Sequence, residues 1–385
     1  MFNFTYKNPV KILFGKGQIA NISNELPKKG KILLTYGGGS IFKNGVYDQV
    51  KAATEGLDII EFGGIEPNPK YETLMQAVEI CKREEVQFLL AVGGGSVLDG
   101  TKFIAAAQHY ANDDAWEILK TYGRFIEKTT PIGCIMTLPA TGSEMNGHSV
   151  ISRKTTKEKF GFQSPLVYPQ FSVLDPTCIA SLPDSQVANG VIDSFVHTIE
   201  QYLTYSVNSP LQDRYAEGIL KTLLEEGPKV LADKANYDAA ANYMWCATNA
   251  LNHWIAVGVP QDWSTHQIGH ELTALHGIDH AKTLAIVLPG VMNYKREDKA
   301  EKILQYGERI FGICEGSKED RIDAAIEATI GFFNQMGVSC RLSDYDVTEE
   351  SILEIEHRFK ERNKQDGEHR DINWEAAGAI LRERM

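Results

Sequence analysis

A pattern that occurs twice in the first half of the chain limits the folds open to it. Residues 31–36 (KILLTY) form a strand-like apolar run, followed by Gly-Gly-Gly-Ser at 37–40 and a helical pattern. Residues 86–92 (VQFLLAV), Gly-Gly-Gly-Ser at 93–96 and a second helical pattern repeat this order. A third strand-like run, 132–138, ends at Pro-Ala-Thr-Gly-Ser-Glu. Strand, glycine turn and helix in succession predict a mostly parallel sheet with helices on its faces.

The second half of the chain has a different periodicity. Beyond Leu182-Pro183, apolar residues recur at three- and four-residue spacing, which is typical of helices. The predicted helices cover 187–203, 211–224, 239–255, 264–275, 299–313, 321–336 and 349–360. Because 385 residues suit two domains, we expect an α/β domain at 1–178 and an all-α domain at 179–385.

Composition argues against several classes of protein. Fifty-one acidic residues against 39 Lys and Arg give a net charge of −12, which disfavours binding to nucleic acid. The apolar runs are far shorter than the ~20 residues of a membrane span, and the N-terminal segment lacks the features of a signal peptide. Six cysteines without a CxxC pair fit a reducing compartment. We therefore expect a cytoplasmic protein that binds neither nucleic acid nor a membrane.

The glycine turns predict a site for a dinucleotide. Glycine lets the backbone turn sharply and lets a phosphate approach main-chain N–H groups at the positive end of a helix. Ligands of parallel sheets bind at the carboxyl ends of the strands, where these turns fall. The first turn has no carboxylate for a ribose 2′-OH, and Lys43 follows it closely. A neutral, N–H-rich turn accepts a 2′-phosphate, so the sequence favours NADP(H).

Histidines and one aspartate predict a metal site in the second half. His266 and His270 share one face of a predicted helix, and Asp193 and His197 have the same spacing in an apolar helix. Buried side chains of this kind need a compensating partner, and a metal is the simplest one. Imidazoles with one carboxylate suit Zn²⁺ or Fe²⁺. Spacing alone leaves open which of His266, His270, His276 and His280 bind the metal.

Taken together, these motifs resemble the iron-containing (group III) alcohol dehydrogenase family, and within it the NADPH-dependent butanol-dehydrogenase-type aldehyde reductases. The resemblance covers essentially the whole chain. Its most specific stretches are YGGGS (36–40), FGGIEPNP (62–69), AVGGGSVLDGTKFIA (91–105), TLPATGSE (137–144) and GVPQDWSTHQIGHELTALHGIDHA (258–281). It implies an NADP-binding α/β domain at 1–178 and a helical metal-binding domain at 179–385, the dehydroquinate synthase-like fold, commonly in homodimers or larger homo-oligomers.

The resemblance also implies the residues of the site. The metal ligands are Asp193, His197, His266 and His280, and His270 lies beside substrate and nicotinamide as the candidate catalytic residue. The cofactor contacts are Gly37, Gly38, Ser40 and Asn68 at the adenosine end, Gly94, Gly95, Ser96 and Asp99 at the pyrophosphate, and Thr137, Leu138, Thr141, Ser143 and Lys159 at the nicotinamide. The chain departs from the expected small residues at 145–148, where it has Met-Asn-Gly-His.

The expected reaction is hydride transfer between NADPH and short-chain aldehydes, with the carbonyl oxygen polarised by one divalent ion, Fe²⁺ or Zn²⁺. An NAD-dependent polyol dehydrogenase is an alternative, but it would be expected to carry an acid at position 39 or 40. A dehydroquinate-synthase-like lyase needs several basic residues for an anionic substrate, and the segments around Asp193 and 266–280 carry only Lys282, at their edge. A non-catalytic binding protein would need only one of the two sites.

Overall fold

A computed structural model describes residues 1–112 and 114–385, which divide into two units by their internal contacts. The α/β unit consists of Lys7–Pro183 and Asp233–Thr248. The helical unit consists of Met1–Tyr6, Asp184–Ala232 and Asn249–Met385. The expected fold class, an N-terminal α/β domain followed by a helical domain, is confirmed by these elements.

A six-stranded parallel sheet forms the centre of the α/β unit. Its strands are β1 (Lys11–Phe14), β2 (Lys31–Tyr36), β3 (Asp58–Phe62), β4 (Phe88–Gly94), β5 (Ile132–Leu138) and β8 (Phe171–Leu174), in the order β1-β8-β5-β4-β2-β3. A separate antiparallel hairpin joins β6 (His148–Arg153) to β7 (Glu158–Gln163). The central strands are continuous apolar runs because helices cover both faces of such a sheet. The helices of this unit are α1 (Val46–Ala53), α2 (Tyr71–Glu84), α3 (Gly95–Ala107), α4 (Glu117–Lys120) and most of α7 (Tyr237–Ala250).

The order of the strands reverses between β2 and β4. From β2 the chain continues to β3 on one side of the sheet, whereas β4 and then β5 lie on the other side. A crevice of this kind, at the carboxyl ends of two neighbouring parallel strands, is where ligands of open α/β sheets bind. The two Gly-Gly-Gly-Ser segments, 37–40 and 93–96, lie at these two strand ends.

Eight helices form the helical unit as the structure describes it. They are α5 (Asp184–Tyr202), α6 (Pro210–Ala232), α8 (Ser264–His276), α9 (His280–Tyr294), α10 (Ala300–Tyr306), α11 (Lys318–Gln335), α12 (Glu349–Glu361) and α13 (Trp374–Glu383). After α10 a π-helical turn continues to Phe311. Apolar side chains of α8, α9, α12 and α13 form one contiguous core, which includes Ile268, Ile286, Phe359 and Ile380. No helix among the described residues is long and apolar enough to cross a membrane.

Candidate functional site

Three histidine nitrogens converge on one carboxylate oxygen in the helical unit. The Nε2 atoms of His197, His266 and His280 lie 3.6, 3.8 and 3.7 Å from Asp193 Oδ1. These distances exceed the ~2.7–3.2 Å of a hydrogen bond. They suit donor atoms that share an ion through bonds of ~2.0–2.2 Å. Asp193, His266 and His280 form the tightest set, with one potential ligand atom from each within 4.8 Å of the others.

The chemistry of these side chains fits a divalent transition metal. Asp193 Oδ1 and His266 Nε2 are both buried and have no hydrogen-bond partner. Such orphaned acceptors are costly in a protein interior, and a cation would satisfy both at once. One carboxylate with imidazoles suits Fe²⁺ or Zn²⁺ better than Mg²⁺ or Ca²⁺. Of the four histidines that spacing left open, His266 and His280 thus belong to the tight set.

Helix geometry explains why α5 contributes more than one of these side chains. Asp193 and His197 are four residues apart and therefore share one face of the helix. Glu200, seven residues after Asp193, continues the same face and is buried. Its Oε2 pairs closely with Nδ1 of His266, and its Oε1 accepts a 2.7 Å hydrogen bond from the backbone N–H of Thr265. With Nδ1–H directed at Glu200, Nε2 of His266 is left as the ligand atom.

Glu200 was not predicted from the sequence. A second acidic residue on the Asp193–His197 face, within a largely buried helix, was the available signal. A further carboxylate, Asp262, accepts a 2.8 Å hydrogen bond from the backbone N–H of Ser264 and pairs with buried Lys299. The first N–H groups of α8 are therefore satisfied by two buried acids, which fixes the start of the helix that carries His266.

The carboxylates and imidazoles of the cluster shift one another's pKa values toward the charged forms. Burial raises the pKa of Asp193, but His197, His280 and His266 outweigh it and hold this pKa below its usual range. Burial lowers the pKa of His266, whereas Glu200 and Asp193 raise it, and the net result is a pKa of about 9. The two carboxylates thus favour the protonated form of His266, so a metal that binds Nε2 must compete with a proton there.

His270 lies one turn after His266 on α8. Its ring centroid is 5.2 Å from that of His280 and 6.3 Å from that of His266, so it is a neighbour of the candidate ligands. His276 is the last residue of α8 and is not part of the tight set. His270 thus lies beside the candidate ligands without belonging to the tight set.

In the first glycine turn, the backbone lies close to Ile65 at one glycine and is open at the next. Gly39 has a φ of +94°, which glycine adopts readily. A Cβ on Gly37 would lie 3.3 Å from the backbone oxygen of Ile65, whereas a Cβ on Gly38 would meet no atom within 4 Å. Ser40 begins a short 3₁₀ turn that ends before Lys43. The turn contains no acidic side chain and leaves room beside Gly38.

The second glycine turn lies between β4 and α3. No side chain caps the 13-residue helix α3, which begins directly after Gly94. Its first N–H groups are thus suited to a phosphate. A Cβ on Gly94 would lie 3.0 Å from Cβ of Leu138, and a Cβ on Gly95 would lie 2.5 Å from Oγ1 of Thr141. The glycines therefore let this turn pack against the end of β5, where buried Thr137 also lies.

Hydrogen bonds connect several of the residues predicted to contact the cofactor. Lys159 Nζ donates to Asn68 Oδ1 at 3.0 Å, and the backbone N–H of Asn68 donates to Ser96 Oγ at 3.3 Å. Asn68 has a φ of +53°, in the left-handed region, which Asn tolerates better than most residues. Ser143 Oγ donates to Asp99 Oδ1 at 2.6 Å. Both groups of bonds end on α3, to which Ser96 and Asp99 belong.

Comparisons with known proteins agree with these features. Residues 9–176 match the family model "Iron-containing alcohol dehydrogenase", and residues 187–385 match "Fe-containing alcohol dehydrogenase family, C-terminal". The chain is 56% identical to the NADPH-dependent aldehyde reductase YqhD of Escherichia coli, with 99% of each chain covered. A crystal structure of E. coli YqhD superposes with a TM-score of 0.99 at 55% identity, covering 100% of this chain and 99% of that one.

Two further relatives differ in the cofactor that their names give. NADP-dependent alcohol dehydrogenase 3 of Entamoeba histolytica is 42% identical, covering 99% of this chain and 98% of the relative. Probable NADH-dependent butanol dehydrogenase 1 of Bacillus subtilis is 40% identical, covering 95% of this chain and 98% of the relative. These matches span both units, and the chain is a member of the iron-containing alcohol dehydrogenase family.

Proposed function

We propose that this protein is an NADPH-dependent aldehyde reductase that interconverts short-chain aldehydes and alcohols. The observation that carries the proposal is the convergence of three imidazole nitrogens on Asp193 Oδ1, in a chain that also has two glycine turns at a sheet switch point. The names of the relatives YqhD and alcohol dehydrogenase 3 support the reaction and the cofactor. The overall reaction converts an aldehyde, NADPH and a proton into an alcohol and NADP⁺.

Asp193, His197, His266 and His280 would hold one divalent ion, Fe²⁺ or Zn²⁺. When bound, such an ion supplies Lewis acidity that polarises the substrate carbonyl oxygen toward hydride attack on the carbon. Glu200 keeps the proton of His266 on Nδ1 and so maintains a ligand atom at Nε2. We assign to His270 the transfer of a proton to the oxygen that becomes the product hydroxyl. Its imidazole lies beside the ligands.

The α/β unit would bind the dinucleotide through its glycine turns. The uncapped start of α3, with Gly94, Gly95 and Ser96, is assigned to the pyrophosphate. Gly37, Gly38 and Ser40 are assigned to the adenosine end, where the lack of a carboxylate favours a 2′-phosphate. The remaining assigned contacts are Asn68, Asp99, Thr137, Leu138, Thr141, Ser143 and Lys159. In this assignment, residues 1–178 bind the cofactor and residues 179–385 bind the metal.

Composition and family membership support proposals for the compartment, the oligomeric state and the partners of the enzyme. We propose a cytoplasmic homodimer or larger homo-oligomer that acts on a small molecule and binds neither nucleic acid nor membranes. The net charge of −12 supports the first exclusion. None of the six cysteines forms a disulfide and five of them are buried, which suits a reducing compartment.

Substitution of the ligands tests the metal assignment. Asp193→Asn and His280→Ala should each lose bound metal and aldehyde reduction together, while NADPH binding is retained. Metal content by elemental analysis and NADPH oxidation with butanal measure the two losses. His357→Ala is the matched control, because His357 is an exposed histidine of the same unit that pairs with Glu361. Full metal occupancy and turnover in either ligand variant would show that the assignment is wrong.

A further inference from the structure

A lysine that is fully buried in α3 holds the loop after β5. Lys102 has no exposed surface, and its Nζ lies within hydrogen-bonding distance of five oxygens. They are the backbone oxygens of Ser143, Asn146 and His148 at 2.7, 2.9 and 2.8 Å, Ser143 Oγ at 2.7 Å and Asn146 Oδ1 at 3.1 Å. Every one of them belongs to residues 143–148. A single ammonium group therefore sets the path of this short segment.

Asp99, one turn before Lys102 on α3, also bonds to this loop. Its Oδ1 accepts the 2.6 Å hydrogen bond from Ser143 Oγ, and its Oδ2 accepts a 2.9 Å bond from the backbone N–H of Val150. Ser149 Oγ also donates to the backbone oxygen of Asp99 at 2.7 Å. Together the two side chains of α3 hydrogen-bond to residues spread over 143–150.

The hydroxyl of Ser143 is occupied by this arrangement. It donates its only proton to Asp99 and accepts from Lys102. It therefore has no proton to donate to a cofactor, although the resemblance places Ser143 at the nicotinamide. Its contribution lies in tying the turn at 141–143 to α3.

We propose that Lys102 is a positioning residue for the nicotinamide end of the cofactor, acting by fixing the 141–148 loop against α3. The inference rests on the proposed function, since it assigns a role to that cofactor-binding loop. Three of the five contacts are to backbone oxygens, so they do not depend on the side chains at 145, 147 and 148. This explains how the chain accommodates Met-Asn-Gly-His there while the course of the loop stays fixed.

Burying an ammonium group is unfavourable in free energy. Its use to hold this loop therefore argues for a role beyond stability. Apolar side chains of similar volume commonly replace buried ionic groups without loss of stability. Burial lowers the pKa of Lys102 to about 8, and the neighbouring Asp99 opposes this shift. Methionine would fill the same space as the lysine stem but could not bind the five oxygens.

Lys102→Met is therefore the test, with NADPH binding measured by cofactor fluorescence in the absence of aldehyde. We expect the dissociation constant for NADPH to rise at least tenfold, with metal content unchanged. The matched control is Lys302→Met, which removes another buried ammonium that pairs with Asp213 in the helical unit. The control should bind NADPH as the unsubstituted enzyme does. An unchanged dissociation constant in Lys102→Met would overturn the proposal.

Steady-state kinetics separate positioning from simple support of the fold. Positioning predicts a higher KM for NADPH, whereas loss of folded protein alone would lower the apparent kcat and leave KM unchanged.

If Lys102→Met does not fold, Ser143→Ala removes the link to Asp99 and keeps the lysine. It should raise the NADPH dissociation constant about threefold or more, and an unchanged value would contradict the proposal. Failure of the unsubstituted enzyme to bind NADPH would instead refute the proposed function.

Discussion

At the scale of single residues, the metal cluster depends on a carboxylate outside the proposed ligand set. Glu200 contacts both the imidazole of His266 and the first backbone N–H groups of α8, so it aligns a ligand and the helix that carries it. Outer partners of this kind orient the ring and increase its basicity as a ligand. Its position on the Asp193–His197 face of α5 places all three groups by helix periodicity alone.

Glu200→Gln should lower the affinity for Zn²⁺ about 10- to 100-fold, the usual effect of removing such a partner. The amide oxygen can still accept from Thr265, but the side chain can no longer accept the proton of His266 as a carboxylate. Competition with a chromogenic chelator measures the change. Glu217→Gln is the control, since Glu217 is a buried glutamate of α6 that binds Tyr202 and Arg309 instead. Equal metal affinity in both variants would contradict the role of Glu200.

Asp366 gives a prediction about stability and pH. Its Oδ2 is buried without a hydrogen-bond partner. Burial raises its pKa to about 6, and the negative charges of Asp262, Glu200 and Glu271 add to this, against the opposing effect of Lys364. An acid with a raised pKa binds more protons in the folded state, so the fold loses stability as pH rises from the unfolded value near 3.8 to about 6.

Asp366→Asn removes this penalty. Its advantage in free energy of unfolding over the unsubstituted protein should grow by about 1 kcal/mol between pH 5 and pH 8, since each pKa unit corresponds to ~1.4 kcal/mol. Denaturant unfolding of the metal-loaded proteins at both pH values measures the difference. A constant difference, or one that shrinks with rising pH, would show that the carboxyl group is not protonated in the fold as inferred.

At the scale of elements, the glycines of the β4–α3 turn are required by packing. A Cβ at position 95 would lie 2.5 and 2.6 Å from Oγ1 and Cγ2 of Thr141, a β-branched side chain with little freedom to move. Gly95→Ala should cost about 1–3 kcal/mol in stability, as overpacking does. It should also weaken NADPH binding, because the start of α3 must shift.

Gly218→Ala is the matched substitution for Gly95→Ala. Gly218 lies within α6, and a Cβ there would meet no atom within 4 Å. Alanine should stabilise the protein by about 0.5–1 kcal/mol, since glycine is unfavourable inside a helix. Thermal unfolding and NADPH titration of both variants check the pair. Similar effects of the two substitutions would contradict the packing argument.

The elements that sequence reasoning located well are those with strong local signals. Strands 31–36 and 132–138 match β2 and β5, because buried parallel strands are continuous apolar runs bounded by turn residues. The strand predicted at 86–92 is β4, displaced to Phe88–Gly94. The predicted helix 264–275 is α8, which begins at Ser264 and ends before Gly277. The local sequence is sufficient to predict an element when turn residues mark both of its ends.

Other elements lack such signals. Helix α9 was not predicted, since it is buried along most of its length, shows no polar face and contains Pro289. Strands β1 and β8 have four residues each and are defined by pairing, of β1 with β8 and of β8 with β5, rather than by composition. In the site, helical spacing indicated Asp193 and His197. The same spacing extends to Glu200 on α5. The contacts of Lys102 with residues 143–148 are distant in sequence, and no local pattern reveals them.

At the scale of the whole molecule, the proposed metal ligands and cofactor contacts belong to different units. The four ligands all fall in the helical unit, and the cofactor contacts all fall within residues 37–159 of the α/β unit. Removal of the metal with a chelator should therefore abolish turnover while NADPH fluorescence still reports binding. Loss of NADPH binding on chelation would show that the two sites do not bind independently.

The most direct test of the central claim is NADPH oxidation followed by absorbance with butanal as substrate. The assay is run with NADPH and with NADH, before and after chelation, and again after adding Fe²⁺ or Zn²⁺. Turnover that is lost on chelation, restored by metal and clearly faster with NADPH is the result we predict. Turnover with NADH alone would contradict the assignment of the first glycine turn. No turnover on butanal or a wider aldehyde panel with metal present would contradict the proposed reaction itself.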